Sequence, residues 1–463
     1  MVDITVRVIL IATLALLLLA PAAPASQNQT VTFEAPRDLL GSKNRGKTFA
    51  ELDSLGVRSL RIVLYWKDVA PGPLSRIRPA FEATDPGAYN WSKYAPAIEE
   101  ADRRGWSVLL TISGPVPIWA SNGATNETYD PRPKEFQSFV TAVSRRFTKY
   151  VTRYSIYNEP NHPKFLTPQF DAQGNSVSPK LYRGLVSAAY KGLAANKDTR
   201  PVLMGETSPR GTKAGIAPLK FLREALCLDD TYKRRPECEI FPIDGWATHP
   251  YTGKTPFLRR VAKDDVTIGT LSRLTQALDK AAAAGAVRAG LPVYLTEFGM
   301  QSKPDPNFGL APLRQAEYRS IGEQIAWSNP RVASFAQYLL RDDLPRKGKK
   351  AERFGGFETG LRHSDGKVKP SLAAFRIPLT VTKQGGRVAF WGLVRPGTGR
   401  RTVVVQASDG GKWSKVATVT TDANGYWSAG SAMKRGRKWR VRAAVGKQTF
   451  TGPATRAYKR PDA

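Results

Sequence analysis

At 463 residues the chain has room for one large domain and a small one. An apolar content of 41% with 24% charged residues is ordinary for a globular fold and excludes wholesale disorder. The formal net charge of +31 is uneven, since from Arg376 onward 18 Lys and Arg face 3 Asp and Glu. No Walker loop, zinc finger or RNA-recognition motif accompanies that charge, so no nucleic-acid function is expected. The expectation is adhesion to anionic surfaces, such as cell-wall polymers or acidic polysaccharide, through the basic C-terminal end.

Residues 1–25 have the pattern of a secretory signal peptide. Arg7 gives a weak positive end, residues 8–20 are an apolar run too short for a bilayer span, and Ala23-Pro24-Ala25 offers a cleavage site. The mature chain is expected to begin near Ser26 and to be secreted. In an oxidising compartment the two cysteines, Cys227 and Cys238, are expected to form one disulfide across a polar surface loop. No histidine lies near them, so no metal site is expected there.

From residue 30 strands and helices alternate roughly every 30–45 residues, the rhythm of βα units around a parallel sheet. Strand one is predicted at 30–34, followed by a helix over 48–55 that stops at Gly56. Strand two is S-L-R-I-V-L-Y-W at 59–66. A helix over 91–104 leads to strand three at 106–112, and an amphipathic helix over 133–150 leads to strand four at 154–157. Next come a helix at 179–195, strand five at 201–205, a helix at 219–226 and strand six at 243–248. A long helix over 268–289, stopped by Gly290, precedes strand seven at 292–298. A helix at 313–328, strand eight at 332–339 and a short helix at 371–375 complete the set. Eight such strands predict an α/β fold, a (β/α)8 TIM barrel over residues 26–378. A doubly wound open sheet is the alternative, and no glycine-rich phosphate loop supports it.

Beyond the barrel, short alternating runs at 388–393, 402–407, 415–420 and 439–444 are separated by turn residues such as Asp422-Ala423-Asn424-Gly425. They predict a small, basic, all-β sandwich over 379–463, Ig- or fibronectin-like by size and spacing. Trp391, Trp413, Trp427 and Trp439 are expected to serve its packing.

The chemistry is concentrated at two strand ends. Strand four runs through R-Y-S-I-Y-N-E-P-N at 153–161, so Asn158 and Glu159 project where Pro160 ends the ladder. Strand seven, P-V-Y-L-T-E-F, delivers Glu297 in the same way. In one parallel barrel both carboxyl groups reach the rim where barrel enzymes place their chemistry. Two carboxylic acids facing one pocket are the minimum equipment for cleaving a glycosidic bond.

With R-I-V-L-Y-W-K-D-V-A-P on strand two, Y-N-E-P-N on strand four, H-P-Y after strand six and L-T-E-F-G on strand seven, about 350 residues resemble the clan A glycoside hydrolases. The resemblance is strongest to the family 39-like and family 5-like, cellulase-type, members. It implies a retaining enzyme that hydrolyses O-glycosidic bonds of a poly- or oligosaccharide without metal or organic cofactor. Glu159 would be the acid/base and Glu297 the nucleophile. Arg61 and Tyr251 would support the nucleophile, Asn158 would bond the sugar 2-hydroxyl, and His249 would belong to the sugar site. Trp66 and Trp119, in loops after strands two and three, are either hydrophobic plugs or stacking platforms for sugar rings. Glu206, ending strand five, is a candidate substrate contact. Clan members commonly floor the subsite with a tryptophan near the end of strand eight, where Tyr338 stands here. The abundance of Arg and Lys suggests an anionic, for example uronic-acid-bearing, glycan. Transglycosylation would use the same residues, and the alternative from another class is a catalytically silent glycan- or cell-wall-binding protein.

Overall fold

The computed structural model describes residues 26, 28–236, 238–257 and 260–459. The expected leader, residues 1–25, lies outside the described residues. Strands β1 (Thr30–Glu34), β2 (Ser59–Tyr65), β3 (Ser107–Ser113), β4 (Arg153–Ile156), β5 (Val202–Thr207), β6 (Gly245–Thr248), β7 (Val293–Leu295) and β8 (Val332–Tyr338) close into one barrel in sequence order. All neighbours are parallel, and β1 pairs with β8 in full register from Thr30 opposite Ser334 to Glu34 opposite Tyr338. A parallel strand is covered on both faces and therefore needs a nearly continuous apolar run. β2 shows this, with Leu60, Ile62, Val63 and Leu64 all buried.

The surrounding helices follow the 3.6-residue period. Helix Pro133–Phe147 starts on a proline, where the missing N–H costs nothing, and buries Phe136, Phe139, Val140, Val143 and Phe147 along one stripe. Its neighbour, helix Ser178–Ala194, comes so close that a Cβ at Gly192 would lie 2.7 Å from the Gln137 carbonyl oxygen. The helix expected over 268–289 is shorter than its composition suggested. It runs Leu271–Ala283 and ends at Gly285, whose φ of +70° is the left-handed stop that Gly290 was expected to supply. Among the described residues no helix is long and apolar enough to cross a membrane.

The C-terminal strands are β9 (Leu379–Gln384), β10 (Arg387–Leu393), β11 (Thr402–Ser408), β12 (Ser414–Thr420), β13 (Tyr426–Ala432), β14 (Lys438–Val445), β15 (Gln448–Thr451) and β16 (Thr455–Arg456). They form two antiparallel sheets, β13-β10-β9 and β12-β11-β14-β15, with β16 also on β14. Val381, Phe390, Val403, Val405, Trp439 and Val441 fill the space between them. β14 alternates strictly: Trp439, Val441 and Ala443 face inward, while Lys438, Arg440 and Arg442 face out. Cross-strand pairing adds Arg456 opposite Lys438, and Lys415 beyond Gln406, itself opposite Arg440. Five cations thus share one sheet face, and none of the residues paired with them is acidic.

Candidate active site

The C-terminal rim of the barrel gathers four glutamates. Glu34 closes β1, Glu159 follows β4, Glu206 lies in β5 and Glu297 follows β7. Arg61, projecting from β2 with no exposed side-chain surface, binds three of them. Its Nη1 donates to Glu34 Oε2 at 2.5 Å and Glu297 Oε1 at 2.6 Å. Its Nη2 donates to Asn158 Oδ1 at 2.7 Å and Glu206 Oε2 at 3.0 Å, and Nε reaches Thr111 Oγ1 at 3.2 Å.

His249, just past β6, is the second cation. Its Nδ1 lies 3.0 Å from Glu159 Oε1 and 3.6 Å from Glu297 Oε1, and its Nε2 lies 2.8 Å from Glu206 Oε2. Burial alone would push its pKa down, but the charge of Glu297 and the hydrogen bonds to Glu159 and Glu206 raise it to about 10. The ring is therefore an imidazolium at neutral pH and donates from both nitrogens. Glu206 has the opposite fate: burial would raise its pKa, yet Arg61 and His249 pull it down to about 2.

The chain takes unusual backbone shapes to aim these groups. Tyr157, Glu159 and Glu206 have φ of +65°, +41° and +48°, left-handed values that cost non-glycine residues about 1–3 kcal/mol each. Glu159 N–H donates to the Glu206 carbonyl at 2.9 Å, tying the two strand ends together. Residue 205 must be glycine, because its φ is +105° and a Cβ there would meet the Ala247 carbonyl oxygen at 2.5 Å.

Tyr251 Oη donates to Glu297 Oε2 at 3.0 Å, so both oxygens of Glu297 are held. Burial drives the Tyr251 pKa far up, which keeps the phenol a donor. Tyr251, Tyr338 and Phe357 pack together, with Tyr338 edge-on to Phe357 at 5.0 Å and to Tyr251 at 6.3 Å. Asn158 Oδ1 is committed to Arg61, which leaves its Nδ2 without a hydrogen bond among the described residues.

Three expectations are corrected. Trp66 and Trp119 do not line the cleft: both are wholly buried, with Trp66 stacked on Phe139 at 4.9 Å and Trp119 edge-on to Trp66 at 5.8 Å. They are plugs beneath the rim. Glu206 is not a substrate contact, because it is fully buried and both oxygens are taken, Oε1 by Thr111 and Oε2 by Arg61, His249 and Thr296. His249, expected in the sugar site, has no exposed side-chain surface and touches carboxyl groups instead, whereas Arg61, expected to support Glu297, donates to it. Two residues of the rim escaped the sequence reading. Glu34 ends T-V-T-F-E, an apolar strand closing on a glutamate, the signal that marks Glu159 and Glu297. Phe357 sits in a loop with no periodicity to announce it. Cys227 and Cys238 are bonded, as their isolation in the sequence implied.

The family model of Cellulase (glycosyl hydrolase family 5) matches residues 22–319. Two solved structures share the fold. One is a family 39 glycoside hydrolase from the gut symbiont Bacteroides cellulosilyticus WH2, with a TM-score of 0.53 and 15% identity over 90% of this chain and 82% of that one. The other is a glucosidase from Croceicoccus marinus, with a TM-score of 0.52 and 10% identity over 90% of this chain and 95% of that one. Among curated proteins no sequence matches. The family match covers more than half of the chain and contains all four rim glutamates, Arg61, Asn158, His249 and Tyr251. The chain belongs to glycosyl hydrolase family 5, the cellulase family, and is a glycoside hydrolase with a carbohydrate substrate.

Proposed function

We propose that the protein is a secreted, retaining glycoside hydrolase that cleaves a poly- or oligosaccharide by double displacement. One observation carries this reading: Glu159 Oε1 and Glu297 Oε1 lie 3.0 and 3.6 Å from the same His249 Nδ1. Two atoms so held are no farther apart than the sum of those distances. That sum is at the bottom edge of the ~6.5–9.5 Å that inverting enzymes keep for an intervening water, and it accommodates the ~5–5.5 Å of direct attack.

Glu297 is the nucleophile, its lone pairs aimed by Arg61 on one oxygen and Tyr251 on the other. It attacks C1 of the sugar while the bond from C1 to the leaving oxygen breaks and Glu159 gives that oxygen a proton. Water then loses a proton to Glu159 and attacks C1, which releases Glu297. Asn158 Nδ2 is free to donate to the 2-hydroxyl. His249 is a positioning residue that acts through the carboxyl groups of Glu159 and Glu297, and Glu206 is one that acts through the Arg61 and His249 it holds. A silent binding protein has no use for a closely spaced carboxyl pair, one member of which, Glu159, sits on a left-handed backbone position. The Cys227–Cys238 bond fits an oxidising compartment, in line with export.

The test is intact-protein mass after incubation with 2-deoxy-2-fluoro glycosides bearing good leaving groups. Wild type is expected to gain one glycosyl unit on Glu297, and Glu297→Gln none. Product of inverted configuration from a wild type that forms no adduct would refute retention.

The five-cation face of the sandwich is proposed to hold acidic polysaccharide. At low salt, carboxylated glycans are then expected to turn over faster than neutral ones of matched linkage, and Lys415→Ser/Arg440→Ser/Arg442→Ser to lose that preference. Equal turnover by wild type would sink the idea.

A further inference from the structure

The double displacement leaves Glu34 without a task. Two cations, Arg61 and His249, face four carboxyl groups at the rim. An unpaired carboxylate in a buried site is so costly that the group takes a proton instead. Glu206 draws on both cations and Glu297 on Arg61 and Tyr251, whereas Glu34 has only a share of Arg61 Nη1. Burial raises its pKa to about 8 against the pull of Arg61, with Glu297 adding to the rise and His249 opposing it. Glu34 is thus a neutral carboxylic acid at neutral pH. The remaining polar groups around it do not alter this. Tyr65 and Tyr338 are phenols with raised pKa. Lys93 is engaged by Asp68 at 2.6 Å, and Arg37 donates to the carbonyls of Asp342 and Ser364.

Beside Glu34 lies a cavity of about 280 Å³, bounded by Arg61, Tyr65, Lys93, Tyr94 and Tyr338. Pockets for drug-sized ligands run from about 300 to 1,000 Å³, so this one suits a single ring. Glu34 Oε2 is held by Arg61, while Oε1 has no hydrogen bond among the described residues, and the side chain keeps 7% of its surface exposed. Glu34 and Glu297 hang on the same Nη1, so Glu34 Oε2 and Glu297 Oε1 are no farther apart than the sum of those two hydrogen bonds, and a sugar joined through C1 to Glu297 has the Glu34 carboxyl group for a neighbour. A neutral acid both donates and accepts, as a sugar hydroxyl does.

Resting on the glycosidase reading above, we infer that Glu34 is a specificity-determining residue, binding a ring hydroxyl of the sugar that occupies the cavity between β1, β2 and β8. The parent substrate is the best of the 4-nitrophenyl β-D-gluco-, galacto-, manno- and xylopyranosides, and its 3-, 4- and, where it exists, 6-deoxy forms complete the set. Glu34→Ala is expected to lower kcat/KM on the parent by about 10–100-fold, and far less on the one deoxy sugar lacking the bound hydroxyl. Were Glu34 only a brace for Arg61, every sugar would suffer alike, and that uniform loss overturns the assignment.

A second variant guards against misfolding. Wild-type kcat/KM on the parent is expected to fall as pH rises through about 8, where Glu34 loses its proton and adds a negative charge beside Glu297. Glu34→Gln keeps the shape but cannot titrate, so its profile should lack that alkaline limb while its KM rises. Persistence of the limb overturns the proposal. Wild type that turns over none of the four glycosides overturns this assignment, and the glycosidase reading falls with it where the 2-deoxy-2-fluoro glycosides also leave no adduct, whereas turnover with uniform loss overturns this one alone.

Discussion

Glu159→Ala is expected to hydrolyse glycosides with poor leaving groups about 10²–10⁴-fold more slowly than wild type. On substrates with good leaving groups, added azide is expected to restore most of the lost turnover and to give the β-glycosyl azide. The two halves of this result have different causes. A good leaving group departs without a proton, so Glu297 still becomes glycosylated, and the step that then fails is the activation of water. Azide needs no base, and truncation to alanine opens room for it beside His249, whose imidazolium has lost its carboxylate partner and attracts a small anion. From a β-glycoside the β configuration follows because C1 is inverted twice, once by Glu297 and once by azide. Equal loss across all leaving groups with no response to azide would mean that Glu159 does not transfer the proton.

The barrel was legible because a strand buried on both faces leaves a strong trace, and β2, β4 and β8 are apolar runs that stop at polar or breaking residues. Glu159 and Glu297 were legible for a related reason: each ends such a run beside a recognisable motif. Glu34 obeys the same rule but is followed by Ala35-Pro36, which carries no motif. The fate of Glu206 was out of reach, since its partners come from β2, β3, β6 and the end of β7, and only closure of the barrel brings them together. The two readings of Trp66 and Trp119 were decided by Phe139, on a helix distant in sequence, which offers a ring for Trp66 to stack on. β13 shows the limit of local pattern. Its Y-W-S-A-G-S-A has few strand-forming residues, and it is held by seven cross-strand pairs to β10.

Glu323→Ala is expected to destabilise the whole protein by about 3–5 kcal/mol, the usual cost of stranding buried charge. Helix Pro312–Trp327 places Arg319, Glu323 and Trp327 four residues apart, on one stripe facing the sandwich. Glu323 accepts from Arg319 Nη1 at 2.5 Å and from Arg395 Nη2 of the sandwich, and the Phe375 ring lies against both guanidinium groups, at 4.6 and 4.4 Å. One turn on, Trp327 packs against Trp391 and Tyr426 at 5.5 and 5.6 Å. Removing the carboxylate leaves two buried cations facing each other across the junction of barrel and sandwich, so both should melt earlier and together. Burial opposes ionisation of Glu323, but Arg319 and Arg395 overcome it and hold its pKa below the ordinary glutamate value. Its contribution is therefore complete above the unfolded-state pKa and is lost as pH falls through the native one. The gap in melting temperature between wild type and Glu323→Gln should accordingly be widest near neutrality and close on acidification. A gap that is absent at neutral pH, or that widens in acid, would show that the pair does not hold the junction. The effect should also reach the rim. Arg319 Nε donates to Gln337 Oε1, and Gln337 Nε2 donates to the carbonyls of Tyr338 and Thr359, at 2.9 and 3.1 Å. Loosening Arg319 therefore frees the backbone under Tyr338, and Glu323→Gln is expected to raise KM well below its melting temperature, before any unfolding is detectable.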